Sequence, residues 1–423
     1  MSQSTFITID TTDELSVQYN NLYVINGIIY YFSIGVVTLP IVNIWTDSYG
    51  WHPLIKIFND EIELDNFVRN NLSNAIQIDN AIYGGIIWSH NIGHGLLDGL
   101  YPSYLSLVKF GKWNDTFTFI TNDWDDASQI NMTQGVVESF SRSSILELNK
   151  SKSNTYIINT LISGTGRTGI RVMREDYTLY GKKYDGIKYF RKRILETYNL
   201  NPDKEVNRNN PNIIFINNIR YSTEERIEID KVIEYYKDLG YNIEFLLWEN
   251  YKTFGEQMKR FEDVDIQVSG PGTGMNYSPL LKRGAVSINL GCINYIEYDT
   301  NKPFACYMEQ AVGAGQDQIS TLFYDRSNYY TLLFDQMILI INKAISLTKE
   351  SIVLEDNHNT DAKVFIEYCK RVPNAREVSN YLTRIANFIE CFVNDLPNAT
   401  PEHLVNIPLL NEIKKELNFK KLF

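Results

Sequence analysis

Apolar positions follow two rhythms along this chain. Over the first 200 residues they come in short runs broken by turn residues, whereas beyond residue 213 short apolar runs alternate regularly with amphipathic stretches. Residues 1–80 predict short strands. Within them LYVI-NG-IIYYF, around Asn26-Gly27, predicts a two-residue hairpin, because that pair readily takes the positive φ angles of a tight turn. A polar helix is expected over 61–75 and a buried strand over 81–88. From Asn91 to Leu107 the apolar residues fall at 96, 97, 100, 104, 105 and 107, one face of a helix. Strands are expected at 116–120 and 155–162, the second running into the Gly-rich loop Ser163–Gly169, with a basic helix over 186–198.

Residues 200–212 are polar, contain two prolines and predict a linker. After them strands are expected at 213–216, 242–248, 264–270 and 285–291, separated by helices over 224–240, 251–263 and 278–284. Strands spaced by helices in this way imply an α/β fold with a parallel sheet of Rossmann type. The tail from about 329 to 423 predicts helices. The expected organisation is an α/β lobe with an N-terminal β-hairpin over 1–200, a Rossmann-like lobe over 213–345 and a helical extension over 346–423.

Composition narrows the function classes. A chain of 423 residues with 44% apolar and 22% charged residues suits two or three globular domains. The net charge of −11 argues against a broad nucleic-acid surface, which needs cations to neutralise phosphates, but leaves room for a local basic pocket. Four cysteines without a C-x-x-C and five dispersed histidines predict neither a disulfide scaffold nor a structural zinc site. The start, MSQSTFITIDTTDEL, lacks the basic and apolar regions of a signal peptide. The uncharged stretch Leu15–Thr46 is broken by Asn26-Gly27 and Pro40, so no membrane span is expected and an intracellular, cytoplasmic location is. On that view the N-x-S/T sequons at Asn71, Asn114, Asn131, Asn149 and Asn398 are compositional.

Two loops at expected strand ends suit a phosphate. Ser269-Gly270-Pro271-Gly272-Thr273-Gly274-Met275-Asn276 lets backbone approach a ligand, and N–H groups at the following helix start attract anions. Asn217-Asn218-Ile219-Arg220 adds a guanidinium that forks onto phosphate. Neither is a Walker A loop. Ser163–Gly169 carries G-x-G-x-x-G spacing without a helix opening directly after it. For proton transfer the candidates are His94 and Asp98, at i, i+4 and preceded by Asn91 and Gly93, with His90 as a competitor. The bland alternative is an ion pair on a solvated face. Asp123-Trp124-Asp125-Asp126 resembles the D-x-D of metal-dependent sugar transferases.

Three of these segments resemble glycosyltransferase family 61. N-I-G-H-G-L-L-D-G-L-Y-P is similar to the family's N-x-G-H-x-L-x-D/E-x-L-P segment. Q-M-K-R-F-E-D-V-D-I-Q-V-S-G-P-G-T-G-M-N…R-G-A-V-S-I-N-L is similar to its second segment, with Gln257, Asp265, Gly272, Gly274 and Gly284 in the family's spacing. Arg220 resembles the family's Arg after a strand, and the likeness spans about residues 85–295. The resemblance implies two Rossmann-like lobes of GT-B type and inverting transfer from a nucleotide-sugar, a UDP-sugar above all, to a protein hydroxyl or glycan. It implies no bound metal and no cofactor beyond the donor. Carried over, Arg220, Gln257, Gly272, Thr273, Gly274, Asn276 and Asn289 bind the donor, His94 and Asp98 are catalytic, and Asn91 and Gly93 line the acceptor side. Pro271 replaces a family His, Thr273 an Ala and Asn289 a Glu. Two alternatives stay open, an inactive nucleotide- or glycan-binding relative and a metal-dependent D-x-D transferase.

Overall fold

The computed structural model describes residues 3–10, 15–44, 50–85, 92–122, 130–164, 176–179, 182–270, 272–290, 319–324 and 331–349. Two compact units form, Met1–Ile170 with Lys192–Thr197, and Arg171–Arg191 with Tyr198–Phe423. Both are α/β. The helical extension expected over 346–423 lies outside the described residues beyond position 349.

The first unit is built on an eight-stranded mixed sheet. Its strands are β1 (Thr5–Asp10), β2 (Leu15–Ile25), β3 (Ile28–Ile34), β6 (Leu54–Phe58), β7 (Ile76–Tyr83), β8 (Thr118–Thr121), β9 (Ile145–Glu147) and β10 (Tyr156–Ser163), while β4 (Val42–Asn43) and β5 (Gly50–Trp51) pair separately. The order is β6-β3-β2-β10-β7-β8-β9, with β1 also on β2. Contacts of β2 with β1, β3 and β10 are antiparallel, and the others are parallel. The β2–β3 hairpin turns at Asn26 (φ 53°) and Gly27 (φ 77°), the two positive angles the sequence predicts.

A third positive φ, 57° at Asn21, reverses the burial alternation of β2. Val17 and Tyr19 before it, and Leu22 and Val24 after it, enter the same core cluster. Neighbouring strands shift phase together, with Ile158 then Leu161 in β10 and Ile78 then Ala81 in β7 joining that cluster. One left-handed residue thus redirects which side chains of three strands meet the core.

Helix α1 (Glu61–Asn71) is capped by the Asp60 carboxylate, which accepts the Glu63 N–H at 2.8 Å. The helix expected from Asn91 is not uniform. Residues His94–Leu100 form a π-helical segment in which the Tyr101 N–H reaches back to the Leu96 carbonyl, and α2 (Tyr101–Lys109) follows. The wider turn corrects the expectation of one α-helix, and such segments recur at functional sites. Helix α3 (Ile130–Ser141) has no counterpart in the sequence expectations. Helix α4 (Gly186–Thr197) closes this unit with its residues 192–197. There Arg193 is buried and donates to the Trp113 (2.9 Å), Asp115 (2.5 Å) and Phe140 carbonyls, its guanidinium 4.9 Å from the Phe117 ring centre. Burial, aided by Arg142, lowers its pKa to about 10, which leaves it charged at neutral pH.

The second unit holds the short hairpin β11 (Asp176–Leu179) and β12 (Lys182–Asp185) and a five-stranded parallel sheet. The sheet strands are β13 (Ile213–Ile216), β14 (Ile243–Leu246), β15 (Ile266–Ser269), β16 (Ala285–Asn289) and β17 (Ile319–Phe323), in the order β14-β13-β15-β16-β17. Helices α5 (Thr223–Asp238), α6 (Phe254–Phe261) and α7 (Phe334–Lys349) belong to the same unit. One sheet face is apolar: Ile213, Phe215, Ile266, Val268, Val286 and Ile288 join a core with residues of α5 and α7. The opposite face of β15 and β16 carries Gln267, Ser269, Ser287 and Asn289, all fully buried.

Residues 200–212, expected as a linker, are held by this unit. Asp265 accepts the backbone N–H groups of Asn207 (3.0 Å) and Asn212 (2.7 Å) and pairs with Lys282 at 2.7 Å. Lys282 also donates to the Asp263 carbonyl at 3.1 Å, so both buried charges are hydrogen-bonded. Removing the cation strands a buried carboxylate, although two amide donors remain to it. Lys282→Met should therefore destabilise the chain by about 3 kcal/mol, the low end of the usual cost of breaking a buried pair. Urea unfolding checks this, and an unchanged midpoint would contradict it.

Candidate functional site

In a parallel sheet of this order, ligands gather beyond the carboxyl ends of the strands at the switch point, here between β13 and β15. Each strand ends in a loop the sequence singled out. Past β13 the Asn217 N–H continues the ladder to the Leu246 carbonyl at 2.9 Å. Asn218 then turns the chain: its side-chain oxygen accepts the Arg220 N–H at 3.0 Å and its carbonyl accepts the Tyr221 N–H at 3.2 Å. Ser222 opens α5 with a capping box to Glu225, fixing the far end of the loop. Arg220 stands between these two anchors. Arg226, from the first turns of α5, donates to Asn217 Oδ1 and lies 5.1 Å from the Phe245 ring centre.

Past β15 the backbone swings through Gly272 at φ 124°. A 3-10 helix then runs over Thr273–Leu280, its first bond from the Met275 N–H to the Gly272 carbonyl at 3.0 Å. This corrects the helix expected over 278–284, because the glycine turn starts the coil five residues earlier. The two loops touch. A Cβ on Gly272 would lie 2.6 Å from Arg220 Nη1, and one on Gly270 would lie 2.9 Å from Asn218 Nδ2 and 3.1 Å from the Tyr221 ring. At Gly274 a Cβ would meet Ser269 Oγ at 2.9 Å and Ile216 at 3.0 Å. At Gly272 the backbone angle itself favours glycine, and at Gly274 the space beside Ser269 and Ile216 does.

Asn289 ends β16 directly beside Ser269 and is fully buried. Asn276, 2% exposed, sits one turn into the 3-10 helix, and its Oδ1 has no hydrogen-bond partner. The fold therefore brings Arg220, Gly272, Gly274, Asn276 and Asn289 to one edge of one sheet, with Thr273 placed there by its backbone. Gln257 has a different position. It is buried on α6, donates to the Tyr251 carbonyl at 3.2 Å and accepts the Tyr277 hydroxyl. It ties α6 to the 3-10 helix, and burial raises the pKa of the Tyr277 phenol far above its usual range.

The other sequence candidates lie in the first unit. His94 and Asp98 belong to the π segment, Gly93 precedes it in helical conformation, and the side chains of His94 and Asp98 are outside the described residues. Asn91, His90, Asp123–Asp126 and residues 165–169 of the Gly-rich loop also lie outside them. Among the described residues no group of three or more His, Cys, Asp or Glu is placed to hold a metal. No described helix is long and apolar enough to cross a membrane.

Asn218, Tyr221 and Trp248 at this edge were not singled out as individual site residues. Asn218 was legible as a polar turn residue directly after an apolar strand. Tyr221 and Trp248 carry no local signal, since only the tertiary packing brings them to the loops.

Chemically, the edge offers a guanidinium, a glycine turn opening a helix, and buried neutral amides. That combination suits an anionic group joined to a neutral polar one. No family model matches the chain, and no curated protein matches it.

Gly274→Ala should destabilise the chain by about 1–3 kcal/mol, because the new methyl presses on Ser269 and Ile216 at the base of both loops. Thermal and urea unfolding measure the loss. Wild-type stability in the variant would mean that the loops do not pack this closely.

Proposed function

We propose that the chain is a glycosyltransferase of GT-B type, with two Rossmann-like lobes, that transfers a sugar with inversion from a nucleotide-sugar to a protein hydroxyl or glycan. The observation that carries this is the meeting of Arg220 with the Gly272 turn at the switch point of a parallel sheet. A donor diphosphate needs a cation and backbone N–H groups at one spot, and the leaving diphosphate needs them more as its charge develops. In the displacement the acceptor oxygen attacks the anomeric carbon while the bond from that carbon to the diphosphate oxygen breaks. The acceptor proton passes to His94, and Asp98 orients the ring and supports the imidazolium. The nucleoside diphosphate departs onto Arg220 and the 272–274 amides. A UDP-sugar is the favoured donor.

Two substitutions separate chemistry from binding. His94→Ala should abolish transfer and leave UDP affinity intact, whereas wild-type turnover would remove His94 from the base role. Arg220→Ala should weaken UDP binding by ~1.5–3 kcal/mol, the value of a charge-assisted hydrogen bond. Calorimetric titration with UDP reads it, and an unchanged dissociation constant would take Arg220 out of the site.

The neutral, buried Asn289 where the resembling family has a Glu favours a second reading, a chain that binds nucleotide or glycan without transfer. Product from any nucleotide-sugar excludes that reading. Full transfer in EDTA disposes of a metal-dependent reaction through Asp123 and Asp125.

A further inference from the structure

The left-handed Asn21 that turns Leu22 and Val24 into the core of the first unit also shapes the opposite face of its sheet. In β10, Asn159 and Thr160 both lie between the core-facing Ile158 and Leu161, and in β7 Asp79 and Asn80 lie between Ile78 and Ala81. Two consecutive polar residues of each strand are thus kept out of that core. Register aligns them. Thr5 pairs with Asn20, Asn20 with Thr160 and Thr160 with Asn80, a row of neutral polar side chains across β1, β2, β10 and β7. Beside this row Asn159 Nδ2 donates to Asp79 Oδ1 at 2.9 Å.

Both ends of this face are covered and its middle is open. The Ser16 hydroxyl on β2 meets that of Ser106 on α2 at 3.0 Å, while Tyr23 and Ile157 pack with Leu64 and Val68 of α1. Between these contacts Thr5, Asp79 and Asn159 are exposed, and Asn20, Thr160 and Asn80 are half-buried. A parallel pair such as β10–β7 is normally covered on both faces. Here the uncovered strip is polar and ordered in advance: Gln18 Nε2 donates to Asn20 Oδ1 and Asn20 Nδ2 to Thr5 Oγ1, each at 3.2 Å. Its chemistry restricts the occupant. The strip holds one carboxylate and no lysine or arginine, so it disfavours phosphates and other anions. Amides and hydroxyls donate and accept at once, as the hydroxyls of a neutral sugar do. Neighbouring strands stand about 4.8 Å apart, so the row repeats a polar group at a step comparable to one pyranose ring. Ile7, opposite Gln18 and 55% exposed, adds an apolar contact for the C–H face of a ring. An extended peptide is held instead by adding to a free strand edge, and β10, at the centre of the strip, is paired along both edges.

We propose that this strip binds a neutral, extended, β-1,4-linked oligosaccharide laid across β1, β2, β10 and β7. The row crosses the strands in line, and an extended sugar chain follows such a line where a coiled one does not. Asn20, Thr160 and Asn80 bond successive rings, and Asp79 accepts from a ring hydroxyl. The site uses residues of the first unit alone and stands without the nucleotide-sugar reading of the second.

Calorimetry on the full chain without nucleotide tests this, with cellohexaose, xylohexaose and chitohexaose as probes and glucose and a galacturonic acid hexamer as controls. One or more of the neutral hexamers should bind roughly tenfold more tightly than glucose, because a row position beyond the first ring adds its own hydrogen bonds. Thr160→Val keeps the side-chain shape, removes the hydroxyl and should weaken that binding about fivefold, the value of one hydrogen bond. Asp79→Asn, at an exposed position, should narrow the gap between the neutral hexamer and the galacturonic acid hexamer. Thermal unfolding checks that each variant keeps the fold, and the Asp79 comparison stands even if the Val variant does not. Failure of all three neutral hexamers to bind overturns the proposal. Binding that survives Thr160→Val and Asn80→Ala together places the sugar elsewhere and also overturns it. Equal affinity of the wild-type chain for the galacturonic acid hexamer does the same, since Asp79 would then not face the ligand.

Discussion

Gln267 holds the polar face of the second sheet to the turn above it. Its amide donates to the Gly274 carbonyl at 2.8 Å, and its oxygen accepts the Ser278 hydroxyl at 3.4 Å. Ser278 in turn meets Ser287, directly across from Gln267 on β16. A strand buried on both faces is normally apolar on both. Here β15 and β16 give one face to the core and use the other to fix a loop. Without that underside of amides and hydroxyls, the Gly272 turn would have no reason to stop against Arg220. The position of the candidate site therefore depends on a buried polar network whose members are satisfied by backbone and by one another.

The same division explains what could be read beforehand. Ile213–Ile216 was legible because four consecutive apolar residues, all buried, mark a strand covered on both faces. Asn26-Gly27 was legible because its turn type demands those residues. The alternation of Gln267 with Ser269, and of Ser287 with Asn289, was also visible in the chain, but inside apolar runs it reads as incidental. Only pairing of β15 with β16 turns it into a continuous polar face. Strand β17 and helix α3 were missed because nothing local sets them apart. The π segment escaped because its residues keep an α-helical apolar spacing, and the extra residue per turn comes from packing. Residues 200–212 look like a linker on composition, yet Asp265, distant in sequence, supplies the acceptors their backbone needs.

Energetically, the edge of the second sheet concentrates costs that the rest of the unit avoids. Gly272 takes a backbone angle that other residues resist, and glycine there forfeits chain entropy in folding. Asn276 Oδ1 and Trp248 Nε1 are desolvated without partners, each worth about 1–3 kcal/mol if left so. Three other buried polar side chains are answered in kind: Arg193 by four carbonyls, Lys282 by Asp265, Gln257 by Tyr251 and Tyr277. Arg220 supplies attraction for charge at that edge, but attraction for phosphate is common to many ligands. That guanidinium, set against a glycine turn and backed by buried neutral amides rather than by an acid, gives the edge its draw for an anion.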